Sequence, residues 1–133
     1  PQDHKRAAEH YRRAAKAGEP TAQFNLGILY HFGKGVPEDA RKAAHWYRQA
    51  ANQGCAGAQY NLGNLYLQGR GVPQDTVTAD MWYLLAAANN HEPSQKQHER
   101  LVKELTPDQL VAAYQSACEL AEDPTISVAY QGS

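Results

Sequence analysis

Residues 22–51 read AQFNLGILYHFGKGVPEDARKAAHWYRQAA, and residues 58–87 read AQYNLGNLYLQGRGVPQDTVTADMWYLLAA. The two stretches match at an offset of 36 positions, which also aligns Tyr11 and Gly18 with Tyr47 and Gly54. A period of this length is typical of repeat proteins, in which each unit packs on its neighbours. The chain therefore contains half a repeat followed by two whole repeats.

The apolar residues within a repeat have helical spacing. Ala22, Leu26 and Tyr30 lie at i, i+4 and i+8, and Ala43, Tyr47 and Ala50 follow the same kind of pattern. Each repeat is therefore predicted to be a pair of helices. Large apolar residues that recur at the repeat offset are expected in the core, and these are Leu26, Tyr30, Trp46, Leu62, Tyr66 and Trp82.

Glycine and asparagine indicate where the helices end. The first helix of a pair is expected to end near Gly33, and the second helices at Gly18, Gly54 and Asn90. These two residue types most readily adopt the left-handed conformation that closes a helix, so Asn90 is expected to replace glycine without loss of the stop.

Prolines and aspartates indicate where the second helices begin. Pro37 and Pro73 are expected in the first helical turn, with Asp39 and Asp75 near the positive end of the helix dipole. Gly27 lies inside a first helix, where glycine costs about 1 kcal/mol relative to alanine. Close approach of a neighbouring helix is the expected compensation, and the same holds for Gly63.

The pattern A-x-x-x-L-G-x-x-Y-x-x-G-x-G-V-x-x-D-x-x-K-A-x-x-W-Y-x-x-A-A, carried by residues 22–51 and repeated with Thr78 in place of lysine, resembles the Sel-one-like repeat. This family is related to the tetratricopeptide repeat. The resemblance implies a right-handed α-solenoid whose concave wall is made by the first helix of each pair. It also implies an adaptor, scaffold or regulator that binds other proteins, and it favours a bacterial, periplasmic or exported protein over a cytoplasmic one.

The pattern breaks down after Asn90, where His98 and Glu99 occupy the Leu-Gly positions. A polar terminal unit is typical of a capping repeat, because its outer face has no neighbour to cover it. Thr106 to Gln109 read as a capping box that opens a last helix, with Leu110, Ala113, Tyr114, Ala117 and Leu120 on its apolar stripe. The predicted organisation is one domain, residues 1–121, made of a half repeat at 3–18, repeats at 19–54 and 55–90 and a cap at 91–121, followed by a frayed or docked tail at 122–133.

Composition argues against several kinds of function. Thirteen basic against fourteen acidic residues give a net charge of −1, so no overall field attracts nucleic acid, and no apolar run is long enough for a membrane span. The histidines and cysteines lack metal-ligand spacing, and no serine or cysteine has the sequence context of a nucleophile. We therefore expect no cofactor, no metal and no catalytic site.

The resulting prediction is a monomeric protein that binds another protein or peptide segment. A bacterial immunity or inhibitor protein that neutralises a toxic secreted enzyme is the first alternative. A hydrolase acting on small molecules related to the cell wall is the second. The predicted binding residues lie on the side of the first helices that the repeat frame does not use, which resembles the groove wall of tetratricopeptide repeats: Phe24, Asn25, Ile28, His31, Tyr60, Asn61, Asn64, Leu67, Lys96, Gln97, Arg100 and Lys103.

Cys55 and Cys118 are expected to remain free thiols. Cys55 lies at the entry to a central first helix and Cys118 near the end of the last helix. Helix pairs in a solenoid contact only their neighbours, so a disulfide between these two positions is not expected. Titration with a thiol reagent under denaturing, non-reducing conditions should detect both thiols in every chain. A chain without titratable thiol would contradict the predicted arrangement of units.

Overall fold

The structure is a computed structural model that describes residues 2–122, and this part of the chain contains seven helices and no strand. Consecutive helices pack on each other from α1 to α6, and α7 packs on α5. The predicted all-α solenoid is confirmed. Glu122 ends α7, and the rest of the predicted tail lies outside the described residues. The helices are α1 Gln2–Lys16, α2 Pro20–Phe32, α3 Ala40–Asn52, α4 Ala56–Gln68, α5 Thr76–Ala88, α6 Glu92–Val102 and α7 Pro107–Glu122.

The helix ends fall where the glycines and the asparagine predict them. Gly33 closes α2 in the left-handed conformation, at φ 66°, and its N–H donates to the Leu29 carbonyl. The second helices are followed by Gly18 at φ 94°, Gly54 at φ 89° and Asn90 at φ 62°. Asn90 is the one residue other than glycine with positive φ among residues 2–122. Asparagine therefore replaces glycine in the stop signal of the last repeat.

The starts of the second helices differ from the prediction. Pro37 and Pro73 precede the helices instead of lying in their first turns, because α3 begins at Ala40 and α5 at Thr76. Asp39 is the N-cap of α3, and its carboxylate accepts hydrogen bonds from the backbone N–H groups of the second and third helical residues at 3.0 and 3.1 Å. An aspartate in this position satisfies backbone donors directly, so it sets the start of the helix more strongly than the preceding proline does.

The glycines inside the first helices lie against tyrosine rings. A Cβ atom added to Gly27 would lie 2.6 Å from the ring of Tyr47, and one added to Gly63 would lie 2.7 Å from the ring of Tyr83. Both distances are shorter than any normal contact, so only glycine allows the second helix to approach this closely. The predicted close approach is confirmed at both positions.

Four of the six predicted core residues are buried, and two are half-buried. Leu26, Leu62, Tyr30 and Trp82 are buried, whereas Trp46 and Tyr66 remain partly exposed. Trp82 lies on α5, on which α7 packs, whereas the α3 helix that carries Trp46 packs on α2 and α4. The Tyr66 hydroxyl accepts a hydrogen bond from the exposed side chain of Arg48, which keeps it near solvent.

The last helix begins with the predicted capping box. The side-chain oxygen of Gln109 accepts a hydrogen bond from the Thr106 N–H at 2.9 Å, and the Thr106 hydroxyl accepts one from the Gln109 N–H at 3.2 Å. The buried face of α7 consists of Ala113, Ala117 and Ala121. Tyr114 was predicted on this face, but it is 60% exposed, because the small alanines are the residues that lie against α5.

Truncation of Leu62 tests the register of the core. The Leu62 side chain is completely buried between the helices of the second repeat. Leu62→Ala is expected to lower the free energy of unfolding by about 2–5 kcal/mol, through lost burial and the cavity left behind. Val111→Ala on the exposed side of α7 is the control, with an expected change within about 0.5 kcal/mol. Equal urea midpoints for the two variants would contradict the register.

Candidate functional site

Eleven of the twelve predicted binding residues lie on α2, α4 and α6, the first helices of the repeats and of the cap, and Lys103 is the residue that caps the C-terminal end of α6. We call these twelve residues the first-helix wall. Those on α2 and α4 are half-buried, and on α6 the basic residues are exposed while Gln97 is half-buried. Side chains of this kind are ordered by their neighbours and still present part of their surface to a partner. The wall consists of Phe24, Asn25, Ile28, His31, Tyr60, Asn61, Asn64, Leu67, Lys96, Gln97, Arg100 and Lys103.

Tyr47 of α3 joins the first two helices of the wall. Its ring is completely buried, and its hydroxyl lies 3.1 Å from Nδ1 of His31 on α2. The same hydroxyl is hydrogen-bonded to the side chain of Asn61 on α4. The Phe24 ring lies beside Tyr47, at 6.1 Å between ring centroids, and it also packs against the backbone of α4 at Gly57. The structure thus brings these wall residues together around one tyrosine.

Tyr83 of α5 occupies the equivalent place one repeat later. Its hydroxyl donates to Oδ1 of Asn64 at 2.5 Å. The ring of Tyr60 lies 5.9 Å from the Tyr83 ring and 5.1 Å from the His91 ring, measured between centroids. Tyr60 therefore packs at the junction between the last repeat and the cap, with part of its surface still open.

Burial sets the protonation of this network. It raises the pKa of the Tyr47 hydroxyl, against the hydrogen bond from Asn61, so Tyr47 stays protonated and can donate. Burial lowers the pKa of His31, assisted by the positive charge of Arg70 and opposed by Glu38. A neutral imidazole can accept at Nδ1, so the Tyr47 hydroxyl can donate to His31 while it accepts from Asn61.

The α6 part of the wall is basic. Lys96, Arg100 and Lys103 are all exposed, and they replace the polar and apolar residues found at the same positions of α2 and α4. Lys96 forms an ion pair with Glu92 at 3.8 Å, but both side chains are about three-quarters exposed, so the pair contributes little. The wall therefore changes from aromatic and apolar on α2 to cationic on α6.

A ladder of glutamines was missed by the sequence analysis. Gln23, Gln59 and Gln95 recur at the repeat offset, and each side-chain amide donates to the alanine carbonyl eight residues earlier, at 3.1, 3.1 and 3.3 Å. Gln53 in turn donates to Oε1 of Gln23 at 2.8 Å. In the next repeat the shorter Asn89 takes the place of Gln53, and Oε1 of Gln59 is buried without a partner. The recurrence of glutamine at all three positions of the repeat could have revealed this ladder from the sequence.

A buried Asp80–His98 pair joins α5 to α6, and it was also missed. Asp80 is completely buried, and its Oδ1 lies 2.7 Å from Nδ1 of His98. The equivalent positions one repeat earlier are Ala44 and Leu62, both in the apolar core. Burial raises the pKa of Asp80, and the hydrogen bond and charge of His98 oppose this shift. The other carboxylate oxygen, Oδ2, has no hydrogen-bond partner.

The described residues show no grouping suited to a metal ion. Between residues 2 and 122, no three His, Cys, Asp or Glu side chains come close enough together to hold one. Over the same range, no helix combines the length and apolar character needed to span a bilayer. Cys55 and Cys118 are both free thiols and are half-buried.

Together, the fold and the first-helix wall define an α-helical repeat protein of the solenoid type. The Sel1 repeat matches this chain three times, at residues 1–19, 20–55 and 56–91. The chain belongs to the Sel1 repeat family. Proteins of this family are generally non-catalytic modules that bind other proteins.

Two bacterial structures are similar to this chain. One is c5321 of uropathogenic Escherichia coli, a protective antigen displaying an SLR fold, which is 38% identical and superposes with a TM-score of 0.91 over 97% of this chain. The chain spans 28% of the length of c5321. The other is a Sel1 repeat protein from Oxalobacter formigenes, 42% identical, with a TM-score of 0.67 over 68% of each chain. No curated protein matches the chain with significance.

Asp80→Asn tests the effect of the buried carboxyl group on stability. Because burial raises the pKa of Asp80, the folded state binds the proton more tightly than the unfolded state. Asp80 therefore stabilises the fold most below its unfolded pKa of about 4, and this contribution is lost as the pH rises through the higher folded pKa. Asp80→Asn is expected to remove this part of the pH dependence. Compared with the unchanged protein at the same pH, the variant is therefore expected to be more stable at pH 7 than it is at pH 4.

Urea unfolding of both proteins between pH 4 and pH 7 measures this difference. Asp3→Asn on the exposed side of α1 is the control, because its carboxyl group lies in solvent. If the stability difference between the Asp80 variant and the unchanged protein is constant across this range, burial does not raise the pKa of Asp80.

Proposed function

We propose that this chain is an adaptor that holds a segment of another protein in a concave groove lined by the first-helix wall. The observation that carries the proposal is the contrast between the frame and the wall. Most frame positions keep their residue between the two whole repeats, as with Leu26 and Leu62. Three of the four wall positions change at every step, and the position that holds Ile28 holds Asn64 and then Arg100, whereas the fourth keeps an amide as Asn25, Asn61 and Gln97. The repeat frame accepts different residues at such positions, so they are available for recognition of a partner.

The chemistry of the wall indicates the chemistry of the partner. Half-buried aromatic side chains at Phe24 and Tyr60 suit apolar anchor residues, and the exposed cations of α6 suit carboxylates. The amide of Asn25 can donate and accept at once, which suits the main chain of a bound segment. The partner segment therefore carries apolar residues followed by acidic residues or a carboxylate.

The same proposal includes a monomeric chain that does not bind nucleic acid. A net charge of −1 argues against nucleic-acid binding, because a protein that binds a phosphate backbone needs an excess of Lys and Arg side chains. Neutralisation of a toxic enzyme is a special case, in which the bound segment belongs to the active-site region of the partner. An activity assay of the captured partner with and without this chain separates inhibition from simple scaffolding.

Substitution of two wall residues tests the groove. The immobilised protein captures partners from a bacterial lysate, and calorimetry then measures the affinity of the purified partner. Tyr60→Ala is expected to weaken binding by more than about 1 kcal/mol, as the loss of a packed aromatic anchor does. Arg100→Glu is expected to weaken binding by a factor that falls as salt is added.

Arg41→Glu is the matched control, because it makes the same charge change on an exposed face of α3 outside the wall. Circular dichroism and urea unfolding must show that the Tyr60 variant is folded, since Tyr60 packs on Tyr83 and His91. If folded Tyr60→Ala and Arg100→Glu bind the partner with unchanged affinity, the first-helix wall is not the binding site.

A further inference from the structure

Phe32 is an exposed aromatic residue that neither the repeat frame nor the predicted wall includes. It is the last residue of α2 and is 60% exposed. Its ring stacks on the His31 ring with 4.5 Å between centroids and 12° between planes. One face of the Phe32 ring is therefore covered by an imidazole, while much of the ring is open to solvent.

Helical periodicity places Phe32 on the same side of α2 as two wall residues. It follows Asn25 by seven residues and Ile28 by four, so the three form one stripe along the helix. The equivalent residues of the following units are Gln68 and Glu104. A polar residue is therefore compatible with the frame here, and packing does not account for an aromatic one.

The support beneath Phe32 is fixed before any partner arrives. His31 is held by the hydroxyl of Tyr47 at 3.1 Å, and the Tyr47 ring is completely buried against Gly27. The His31 ring is thus already ordered and loses little conformational freedom when a partner binds, which raises affinity. A lone exposed phenylalanine is common on protein surfaces, whereas one stacked on a hydrogen-bonded imidazole forms a prepared contact surface.

We propose that Phe32 and His31 form an aromatic platform that binds an aromatic side chain of the partner, at the end of the wall opposite to the cations of α6. This inference rests on the proposed function and specifies its partner. α2 contacts α4 through Phe24 at Gly57, and α4 contacts the start of α6 through Tyr60 and His91. Helices in contact lie about 8–10 Å apart, so α2 and α6 are separated by about 20 Å across α4. An extended chain advances about 3.3 Å per residue and covers this distance in about six residues.

Three amides favour an extended partner over a helical one. Asn25, Asn61 and Gln97 occupy the same position on α2, α4 and α6, one amide per helix. Their spacing of about 10 Å corresponds to about three residues of extended chain. Amides at such intervals can pair with the main-chain groups of an extended segment. The partner is thus an extended segment with an aromatic residue about six residues away from a pair of carboxylates.

Two synthetic peptides of opposite order are the probes. Each contains one tryptophan, a spacer of glycine and serine and two aspartates at the stated distance, and each carries a fluorophore for anisotropy titration. We expect one order to bind, and Phe32→Gln to weaken that binding about tenfold, as loss of an anchor contact does. Phe32→Gln installs the residue type of the next repeat, so it should leave the urea midpoint unchanged. Gln68→Ala is the control, with a change below about twofold expected, because Gln68 lies at the equivalent position without an aromatic ring.

A peptide with alanine in place of tryptophan completes the test. It should bind about tenfold more weakly, and Phe32→Gln should then have no additional effect, because the two groups act through one contact. Binding that is lost in Arg100→Glu but unchanged in Phe32→Gln would overturn the platform and leave the groove intact. Binding of neither peptide would also overturn the platform, while the captured partner tests the groove independently through Tyr60 and Arg100.

Discussion

The contact between a helical glycine and a tyrosine ring determines how the two helices of each repeat fit together. Gly27 and Gly63 give up about 1 kcal/mol of helix propensity each, and in return Tyr47 and Tyr83 lie where any Cβ atom would overlap their rings. The tyrosines are completely buried in these positions, and burial of one aromatic side chain contributes about 1.5–3 kcal/mol. Burial of the tyrosine ring therefore contributes more than the glycine costs. The same contact fixes the distance between the first and second helices, on which the direction of the wall side chains depends.

Because the rings lie so close to the glycines, their hydroxyls reach the side of the molecule formed by the first helices. Tyr47 meets His31 and Asn61 there, and Tyr83 meets Asn64. The residues that we propose for binding are therefore also residues that hold neighbouring helices together. Such a surface is rigid before a partner binds, so little conformational entropy is lost on association. It also means that substitutions in the wall affect stability and binding together, and the two effects must be measured separately.

The cap ends the solenoid by replacing an apolar contact with a polar one. Where the internal junction has Ala44 and Leu62, the cap junction has Asp80 and His98. A buried carboxylate is costly unless its partner is present, so this pair restricts α6 to its own place on α5. The last helix then covers α5 with Ala113 and its neighbours and not by pairing with α6. The basic end of the wall is built on α6 and therefore depends on this junction.

The sequence by itself determined the repeat, the helix stops and the capping box of α7, since each depends on local backbone conformation or on identical residues at a fixed offset. It also indicated that Gly27 and Gly63 need close neighbours. Only the tertiary structure decided that Trp82 is buried while Trp46 is half-exposed, because α7 covers α5 and α3 has a different set of neighbours. It also decided the partners of the tyrosine hydroxyls and the pairing of Asp80 with His98. A sequence repeat makes positions equivalent along the chain, whereas burial and hydrogen bonding depend on which helices surround each position, and these differ from one unit to the next.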